Sequence, residues 1–200
     1  AATGIMLAVY YQPTPDTAYQ SVLNISTHVQ FGWWIRSIHR WSAGGMVLLV
    51  FLHMLRVFFT GAYKKPRELN WLTGVALLLI TMGFGFTGYL LPWDQKAYWA
   101  TKVGTDIAGT VPVLGHFLLV SLRGGEQISA ATLGRFYDLH VLVLPAIIAI
   151  LLPGPFFMIR RHGISGRLSG GRRETPPRRR PPGKRRAPHP PAGVARPPPI

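Results

Sequence analysis

Two histidines in the second apolar segment of this chain stand at a spacing that suits cofactor ligation. His39 and His53 are 14 residues apart. In an α-helix this spacing falls about 40° short of four turns, so both imidazoles project from one face, about 21 Å apart along the axis. That rise covers most of the hydrocarbon core of a bilayer. Two imidazoles on one helical face at opposite membrane depths would suit two stacked haems.

A facing helix must then supply the other ligands, and the fourth apolar segment offers His140 at the depth of His39. A polar ring inside lipid is costly and is usually functional. Any one of these histidines could instead hydrogen-bond a neighbouring helix. The spacing and the matched depth make that alternative less favourable for the three histidines together.

Arginines flank the histidines of the second segment. Arg36 and Arg40 lie beside His39, and Arg56 follows His53 by three residues. A guanidinium is suited to pairing with a haem propionate through charge-assisted hydrogen bonds. The alternative is that these long side chains reach the membrane interface with their charged ends, and for Arg36 the two interpretations stand equal.

Two glycines of the third segment, Gly74 and Gly88, are also 14 residues apart. They could leave room for flat macrocycles. Plain helix–helix packing explains small residues in membrane helices equally well.

Four apolar segments must position these residues, and they predict an all-α, transmembrane four-helix bundle. The last three reach spanning length, and their continuously apolar character favours helices over barrel strands. The first is about half that length, so we expect a truncated first helix. The long connection after the third segment includes a weakly amphipathic stretch, at 111–122, that we expect on the membrane surface. The segments cover about residues 1–11, 33–63, 72–91 and 136–159.

The last 35 residues differ in composition from the rest of the chain. They hold ten of the 18 prolines and ten of the 22 Lys and Arg residues, and much of the net charge of +15. Such a segment buries too little apolar surface to offset its ordering entropy, so we expect a membrane domain over 1–165 and a disordered tail over 166–200. Basic tracts can bind nucleic acid or anionic lipid, but we interpret this one as solvated and expect no nucleic-acid partner.

Charge and cysteine content indicate the orientation of the chain in the membrane and exclude several kinds of site. Basic loops mark the cytoplasmic side of a membrane protein, and an acidic loop without Lys or Arg, at 12–30, fits the exported side. The chain has no cysteine, which excludes disulfides, thiolate metal sites and thioether-linked haem within it. The basic residues that should lie together on the cytoplasmic side are Lys64, Lys65, Arg67, Arg160 and Arg161.

Over about residues 3–166 the sequence resembles the cytochrome b family in its four-helix b6 form. The motifs that carry the resemblance are TGIMLAVYYQPT, VQFGWWIRSIHRWSAGGMVLLVFLHMLRVFFTGAYKKPRELNW, TGY-LPWDQ, RFYDLH-VLP and MIRRHGIS. The resemblance implies that His39 and His140 ligate one haem b nearer the exported side. It implies that His53 ligates a second haem nearer the cytoplasm, and that the neighbouring arginines contact propionates.

The resemblance also implies the activity. A quinol would be oxidised at the exported face, near Pro92, Trp93 and Asp94 of the LPWDQ motif. One electron would pass to an iron–sulfur partner and the other through the haems to a quinone at the cytoplasmic face. The chain would be an enzyme only as a subunit. Its implied partners are a three-helix subunit, a Rieske iron–sulfur protein and a c-type cytochrome, in a dimeric complex of the bacterial cytoplasmic membrane, or of thylakoids if photosynthetic.

The sequence departs from that family at the fourth ligand. The family pattern places this histidine 15 residues after the first one on the helix, where this chain has Pro155; the 14-residue alternative is Gly154. Neither residue can ligate iron, and Pro153 and Pro155 should kink or break the helix. One hypothesis is that a sequencing or frame error affects the chain from about Pro153 and produces the tail. The other is a degenerate protein that keeps only the haem at His39 and His140.

Three other functions stay open. A di-haem anchor of another respiratory dehydrogenase would share membrane histidines but not the LPWDQ and KKPREL segments. A haem-free membrane scaffold or defective product finds its best support in Pro155. A nucleic-acid binder based on the tail would leave the membrane segments unexplained.

Overall fold

The computed structural model describes residues 1–163, and that part of the chain is helical with no strands. The expected tail at 166–200 lies outside the described residues. In chain order the helices are α1 (Ala2–Ala8), α2 (Ala18–Thr27), α3 (Gly32–Phe59), α4 (Glu68–Leu90), α5 (Gln95–Gly109), α6 (Gly115–Arg123), α7 (Ala130–Asp138), a π-helical segment (Leu139–Val143), α8 (Leu144–Leu151) and α9 (Pro153–His162).

Three helices are long and apolar enough to cross a membrane, which confirms the helical membrane bundle. They are Gly32–Phe59, Glu68–Leu90 and Ala130–Arg161, the last combining α7, the π segment, α8 and α9. The seven residues of α1 pack against α3. This short helix corresponds to the truncated first helix of the expected bundle. Between 0% and 6% of the most apolar stretch of each spanning helix is buried within the protein. The remaining apolar surface therefore suits contact with lipid.

The tightest packing lies at one end of the bundle, where α4 ends and α5 and α7 begin. Leu90, Ala97, Leu133 and Phe136 are each 1% exposed or less. We call this end, which also contains the first third of α3, the His39 end. Apolar contact between three helices and the following turn holds it together, so it is the end best suited to fix side chains in position.

The long connection between the third and fourth segments is more ordered than the sequence indicated. It folds into α5 and α6, and α6 begins only at Gly115, inside the stretch expected to be amphipathic. The buried Arg123 joins the two helices: its Nε atom donates to Thr105 at 2.8 Å and its Nη2 atom donates to Asp106 at 2.6 Å. Hydrogen bonds from Lys102 and Arg123 lower the pKa of the Asp106 carboxyl. Polar contacts of Arg123 therefore hold α5 and α6 together as a hairpin.

The fourth segment is one long helix with two local irregularities. It begins at Ala130, earlier than the expected 136, and contains a π-helical segment at Leu139–Val143. At Leu152 the backbone keeps helical angles, with φ −60° and ψ −36°, and its N–H donates to Ile148 at 2.8 Å. Pro153 and Pro155 have no N–H to donate, so the helix lacks those two hydrogen bonds. The expected break therefore amounts to lost hydrogen bonds, and the helix continues to His162.

The three spanning helices do not all pack on one another along their length. Within the described residues α4 packs closely on both α3 and α9, whereas α3 and α9 have no close mutual packing. The same holds for α3 and the earlier parts of the fourth spanning helix, so within the described residues α3 and that helix are joined mainly through α4.

Candidate functional site

The structure brings His39 and His140 together at the His39 end. The centroids of their rings are 6.2 Å apart and the ring planes cross at 76°. His39 comes from the early part of α3 and His140 from the π segment, and both side chains are half-buried. Two residues separated by 101 positions in sequence are thus paired across the bundle, as the spacing argument expected.

A threonine hydroxyl fixes the ring of His140. The Thr87 Oγ1 atom lies 3.0 Å from His140 Nδ1, and the same hydroxyl lies 2.8 Å from the carbonyl oxygen of Gly83. A hydroxyl has one proton. When Thr87 donates that proton to Gly83, its oxygen accepts the Nδ1–H of His140, and the lone pair of the imidazole resides on Nε2. Such a partner fixes both the tautomer and the orientation of a ligating histidine.

His39 has a matching partner. The Oγ1 atom of Thr3, on α1, lies 3.1 Å from His39 Nδ1. In both rings, Nδ1 is therefore engaged by a threonine and Nε2 is the nitrogen suited to a metal. The two supporting threonines come from different helices, α1 and α4, so three elements besides the π segment determine the geometry of the pair.

Glycines give the two rings their room. A Cβ atom built on Gly88 would lie 2.6 Å from Cε1 of His140 and 3.2 Å from both ring nitrogens. A Cβ atom on Gly4 would lie 3.3 Å from Cε1 of His39. The ring of Phe84 completes the wall beside His140, with ring centroids 5.4 Å apart. Gly88 therefore permits an approach that any larger residue would prevent.

The pair fits a haem iron as two candidate ligands. Imidazole nitrogens bind transition metals at about 2 Å, and two rings with centroids 6.2 Å apart are close enough for both to reach one ion. The donor chemistry agrees as well, because neutral imidazoles with a hydrogen-bonded Nδ1 are the usual haem ligands.

His53 stands apart from this pair. It is exposed on the far half of α3, and no group of three or more His, Cys, Asp or Glu residues gathers anywhere in the described part of the chain. The neighbouring Met54 is buried against α4, where its Sδ atom would lie 3.6 Å from a Cβ atom on Gly74. Gly74 thus lies at an ordinary α3–α4 contact. The structure does not bring it against His53.

The π segment changes the register of the fourth spanning helix after His140. A π turn accommodates one residue more than an α turn, because its hydrogen bonds run from i to i+5. His140 is the second residue of Leu139–Val143, so this extra residue lies between His140 and the far half of the helix. Fifteen residues after His140 thus correspond to 14 residues after His39.

The three arginines lie in different surroundings. The Nη1 atom of Arg36 donates to Ser26 Oγ on α2 at 3.2 Å. Arg40 and Arg56 have exposed side chains on α3. Contact of the arginines with propionates stays a prediction.

The residues expected near a quinol pocket form the turn after α4, at the same end as the histidine pair. Trp93 adopts a positive φ of 53°, uncommon for a bulky residue. Asp94 caps α5 by accepting a hydrogen bond from the backbone N–H of Ala97 at 2.8 Å. With Pro92 before them, these residues make a sharp corner.

Two tyrosines that the sequence did not single out hold this corner. The hydroxyl of Tyr11 donates to the carbonyl oxygen of Leu91 at 2.6 Å, and its ring stacks on that of Tyr137 at 5.6 Å. Burial, and then the nearby Tyr137, raise the pKa of the Tyr11 hydroxyl well above its usual range. It therefore stays protonated and donates its hydrogen bond across the physiological range.

Sequence reasoning also missed Thr3 and Thr87. Thr87 had a signal, since it directly precedes Gly88 within the TGY-LPWDQ motif. Thr3 had none, because its role depends on how α1 lies against α3.

Comparison with known proteins gives consistent results. The family model described as cytochrome b/b6/petB matches residues 1–163. The chain is similar to cytochrome b6 of Synechococcus sp. (strain RCC307), with 53% identity over 84% of this chain and 77% of that relative. It is similarly close to cytochrome b6 of Prochlorococcus marinus (strain NATL1A), at 52% identity over the same shares.

Among solved structures, a chain of a hyperthermophilic respiratory complex III matches with a TM-score of 0.77 and 33% identity. The match covers 82% of this chain and 45% of that one, so this chain spans less than half the length of that solved chain.

Proposed function

The chain belongs to the cytochrome b family, and we propose that it is the haem b-binding, electron-transferring subunit of a membrane quinol–cytochrome or quinol–plastocyanin reductase. The observation that carries the proposal is the pairing of His39 and His140, with rings 6.2 Å apart and both Nδ1 atoms engaged by threonines. A haem bound there would supply reversible one-electron chemistry.

The chain's own residues would hold and tune that group. Nε2 of His39 and Nε2 of His140 would ligate the iron, and Thr3 and Thr87 would keep both rings in the required tautomer. Gly88 would keep the His140 ring seated against α4. The arginines nearest in sequence, Arg36 and Arg40, would pair with the propionates.

The corner at Pro92, Trp93 and Asp94 would lie beside the site of quinol oxidation. Its support is position, since Tyr11, in the segment after α1, donates to Leu91 next to this corner and stacks on Tyr137 of α7. A complete oxidation site would need partners that the family implies: a three-helix subunit, a Rieske iron–sulfur protein and a c-type cytochrome, in a dimeric complex. Quinol would be the substrate and quinone the product.

The membrane would be the bacterial cytoplasmic membrane, or the thylakoid in a photosynthetic cell. The His39 end would face the exported side, because the basic residues of the α3–α4 turn belong on the cytoplasmic side. The division into a membrane domain at 1–165 and a tail at 166–200 stays part of this proposal.

Haem analysis of the membrane-expressed chain, purified with its three-helix partner, tests the proposal. We expect a reduced-minus-oxidised spectrum of a six-coordinate, low-spin b haem. His39→Leu and His140→Leu should each abolish it. His116→Leu is the matched control, because this histidine is exposed and pairs with Glu126 at 2.9 Å, away from the bundle. If both variants keep the low-spin haem, the site is refuted.

A further inference from the structure

The end of the bundle opposite the His39 end gathers positive charge from two separate elements. Arg67 lies in the turn before α4, and its Nη2 atom donates to the carbonyl oxygen of Gly163, just after α9, at 3.4 Å. Arg160 precedes Gly163 by three residues, which is less than one helical turn. We call this the Arg67 end, and its other cations are Lys64, Lys65 and Arg161.

The cations of the Arg67 end have no acidic partner in the part of the chain that the structure describes. None of them forms an ion pair there, and the neighbouring acid, Glu68, is exposed on the first turn of α4. The Nε atom of Arg67 is buried without a hydrogen-bond acceptor. The C-terminal ends of α3 and α9 each supply only about half a negative charge. Most of the positive charge at this end is therefore uncompensated.

An apolar groove of about 650 Å³ lies along α8 and α9, and Arg160 is the only charged residue that lines it. The side chains of Phe156 and Phe157 in its wall are 62% and 66% exposed. None of the most apolar stretch of this spanning helix is buried within the protein, so the groove opens toward the surroundings of the bundle. The other lining residues are Ala149, Leu152, Pro153 and Ile159.

An apolar groove with cations at one end matches an amphiphile that has an anionic head. Guanidinium groups bind phosphate through paired, charge-assisted hydrogen bonds. A lone arginine on a spanning helix could simply reach the membrane interface with its charged end. Here two guanidinium groups come from different elements, and Arg67 has a buried N–H without an acceptor. An apolar partner helix would fill the groove but would leave these charges unpaired.

We propose that the groove and the cations of the Arg67 end form a binding site for one anionic phospholipid. The phosphate would lie between Arg67 and Arg160, and an acyl chain would lie against Phe156 and Phe157. The headgroup would then join the α3–α4 turn to the end of α9 and strengthen the contact that Arg67 makes with Gly163. Binding at this site does not require haem, so it stands apart from the proposed electron transfer.

Native mass spectrometry of the full chain, purified from membranes and stripped of lipid with detergent, tests the proposal. Phosphatidylglycerol should rebind at one molecule per chain, and phosphatidylcholine with the same acyl chains should bind at least tenfold more weakly. Each basic residue near an anionic headgroup contributes about fivefold to lipid affinity. The double variant Arg67→Gln/Arg160→Gln should therefore bind phosphatidylglycerol roughly 25-fold more weakly than the wild type. Phe157→Ser should weaken the binding of both lipids.

The double variant Lys96→Gln/Lys102→Gln is the matched control. It removes the same number of charges, from two exposed lysines of α5 at the His39 end, and should leave phosphatidylglycerol binding unchanged. The basic residues after position 166 are present in every variant, so they do not affect the comparison. Circular dichroism monitors folding. If the arginine double variant does not fold, Arg67→Gln and Arg160→Gln as single variants, each expected to lose about fivefold in affinity, decide the question.

Several results would overturn the proposal. Equal binding of the two lipids, or no bound lipid at all, would remove the site. Displacement of phosphatidylglycerol by glycerol 3-phosphate, which has the same phosphate but no acyl chains, would make this a site for a soluble phosphate. An equal loss in the arginine and lysine double variants would assign the effect to net charge alone. None of these results would alter the haem content of the chain, so each leaves the proposed function intact.

Discussion

At the residue scale, the sequence predicted that His39 and His140 lie at one level and missed the threonines that contact them. His39 and His140 could be paired from periodicity and depth alone, because helical geometry is regular. Thr3 and Thr87 could not, since a hydroxyl that hydrogen-bonds an imidazole depends on how neighbouring helices are rotated. Whether Gly88 makes room for a ring or merely packs helices was open in sequence, and a 2.6 Å approach to His140 favours the first.

Replacing Thr87 tests the supporting hydrogen bond. Thr87→Val keeps the shape of the side chain but removes the hydroxyl that hydrogen-bonds His140 Nδ1. Loss of such a partner typically weakens metal binding by about 10- to 100-fold. A less electron-rich imidazole also stabilises the oxidised iron less, so we expect a higher midpoint potential in a redox titration of the His39–His140 haem.

Thr81→Val is the matched control for this change. Thr81 is likewise buried on α4, but its hydroxyl donates only along its own helix, to Leu77 at 2.8 Å. Equal shifts in both variants would show that α4 packing, and not the contact with His140, governs the potential.

Adding one methyl group at Gly88 or at Gly74 of α4 distinguishes close approach to the His140 ring from ordinary helix packing. Gly88→Ala should displace the His140 ring, an overpacking that typically costs about 1–3 kcal/mol, and should sharply reduce the low-spin haem content. Gly74→Ala should leave it unchanged, because the new atom would lie at an ordinary 3.6 Å from Met54. Pyridine haemochrome analysis measures both, and equal haem contents would contradict the role given to Gly88.

At the element scale, helix existence was predictable and helix irregularity was not. Continuous apolar composition identified α3, α4 and the fourth spanning helix, whereas the break expected at Pro153 and Pro155 does not end the helix. The π segment has no marker in its residues, LHVLV, which suit an α-helix equally well. The connection after α4 lacks spanning length, so its helices depend on contacts such as those of Arg123 that only the fold reveals.

The α5–α6 hairpin should carry a specific pH dependence. The pKa of Asp106 is lowered by Lys102 and Arg123 from an unperturbed 3.8. A lowered folded-state pKa contributes stability above the unfolded-state value, and that stability is lost as the pH falls through the folded-state value. In Asp106→Asn the melting temperature should therefore be lower than in the wild type near neutral pH, and the difference should narrow below about pH 4.

Asp138→Asn serves as the reference for this titration, because Asp138 is an exposed carboxyl on the last residue of α7. Melting curves of the detergent-purified protein across this pH range would give the comparison. A difference between wild type and Asp106→Asn that does not change with pH would assign the effect to lost packing and remove the charge from the explanation.

At the scale of the whole molecule, the sequence predicted the membrane bundle, whereas its orientation stays a prediction based on loop charge. The chain contains no cysteine, so single-cysteine variants can test it without background. Lys64→Cys lies in the α3–α4 turn, and Gln127→Cys lies between α6 and α7, both at exposed positions. These sites should be on opposite sides of the membrane.

In intact cells, a membrane-impermeant maleimide should label Gln127→Cys, and Lys64→Cys only after the membrane is opened. A chain that carries both cysteines controls for differences in expression, because both positions are then compared in the same protein. Labelling in the reverse order would invert the bundle and place the Trp93 corner on the cytoplasmic face.

The lack of close packing between α3 and the fourth spanning helix, within the described residues, has a consequence for biogenesis. These two helices are joined mainly through α4, and the haem proposed between His39 and His140 would add a direct link. A ligand that binds only the folded form stabilises it by mass action. We therefore expect membrane proteases to remove the chain when haem synthesis lags, so that its cellular abundance follows porphyrin supply more closely than transcription.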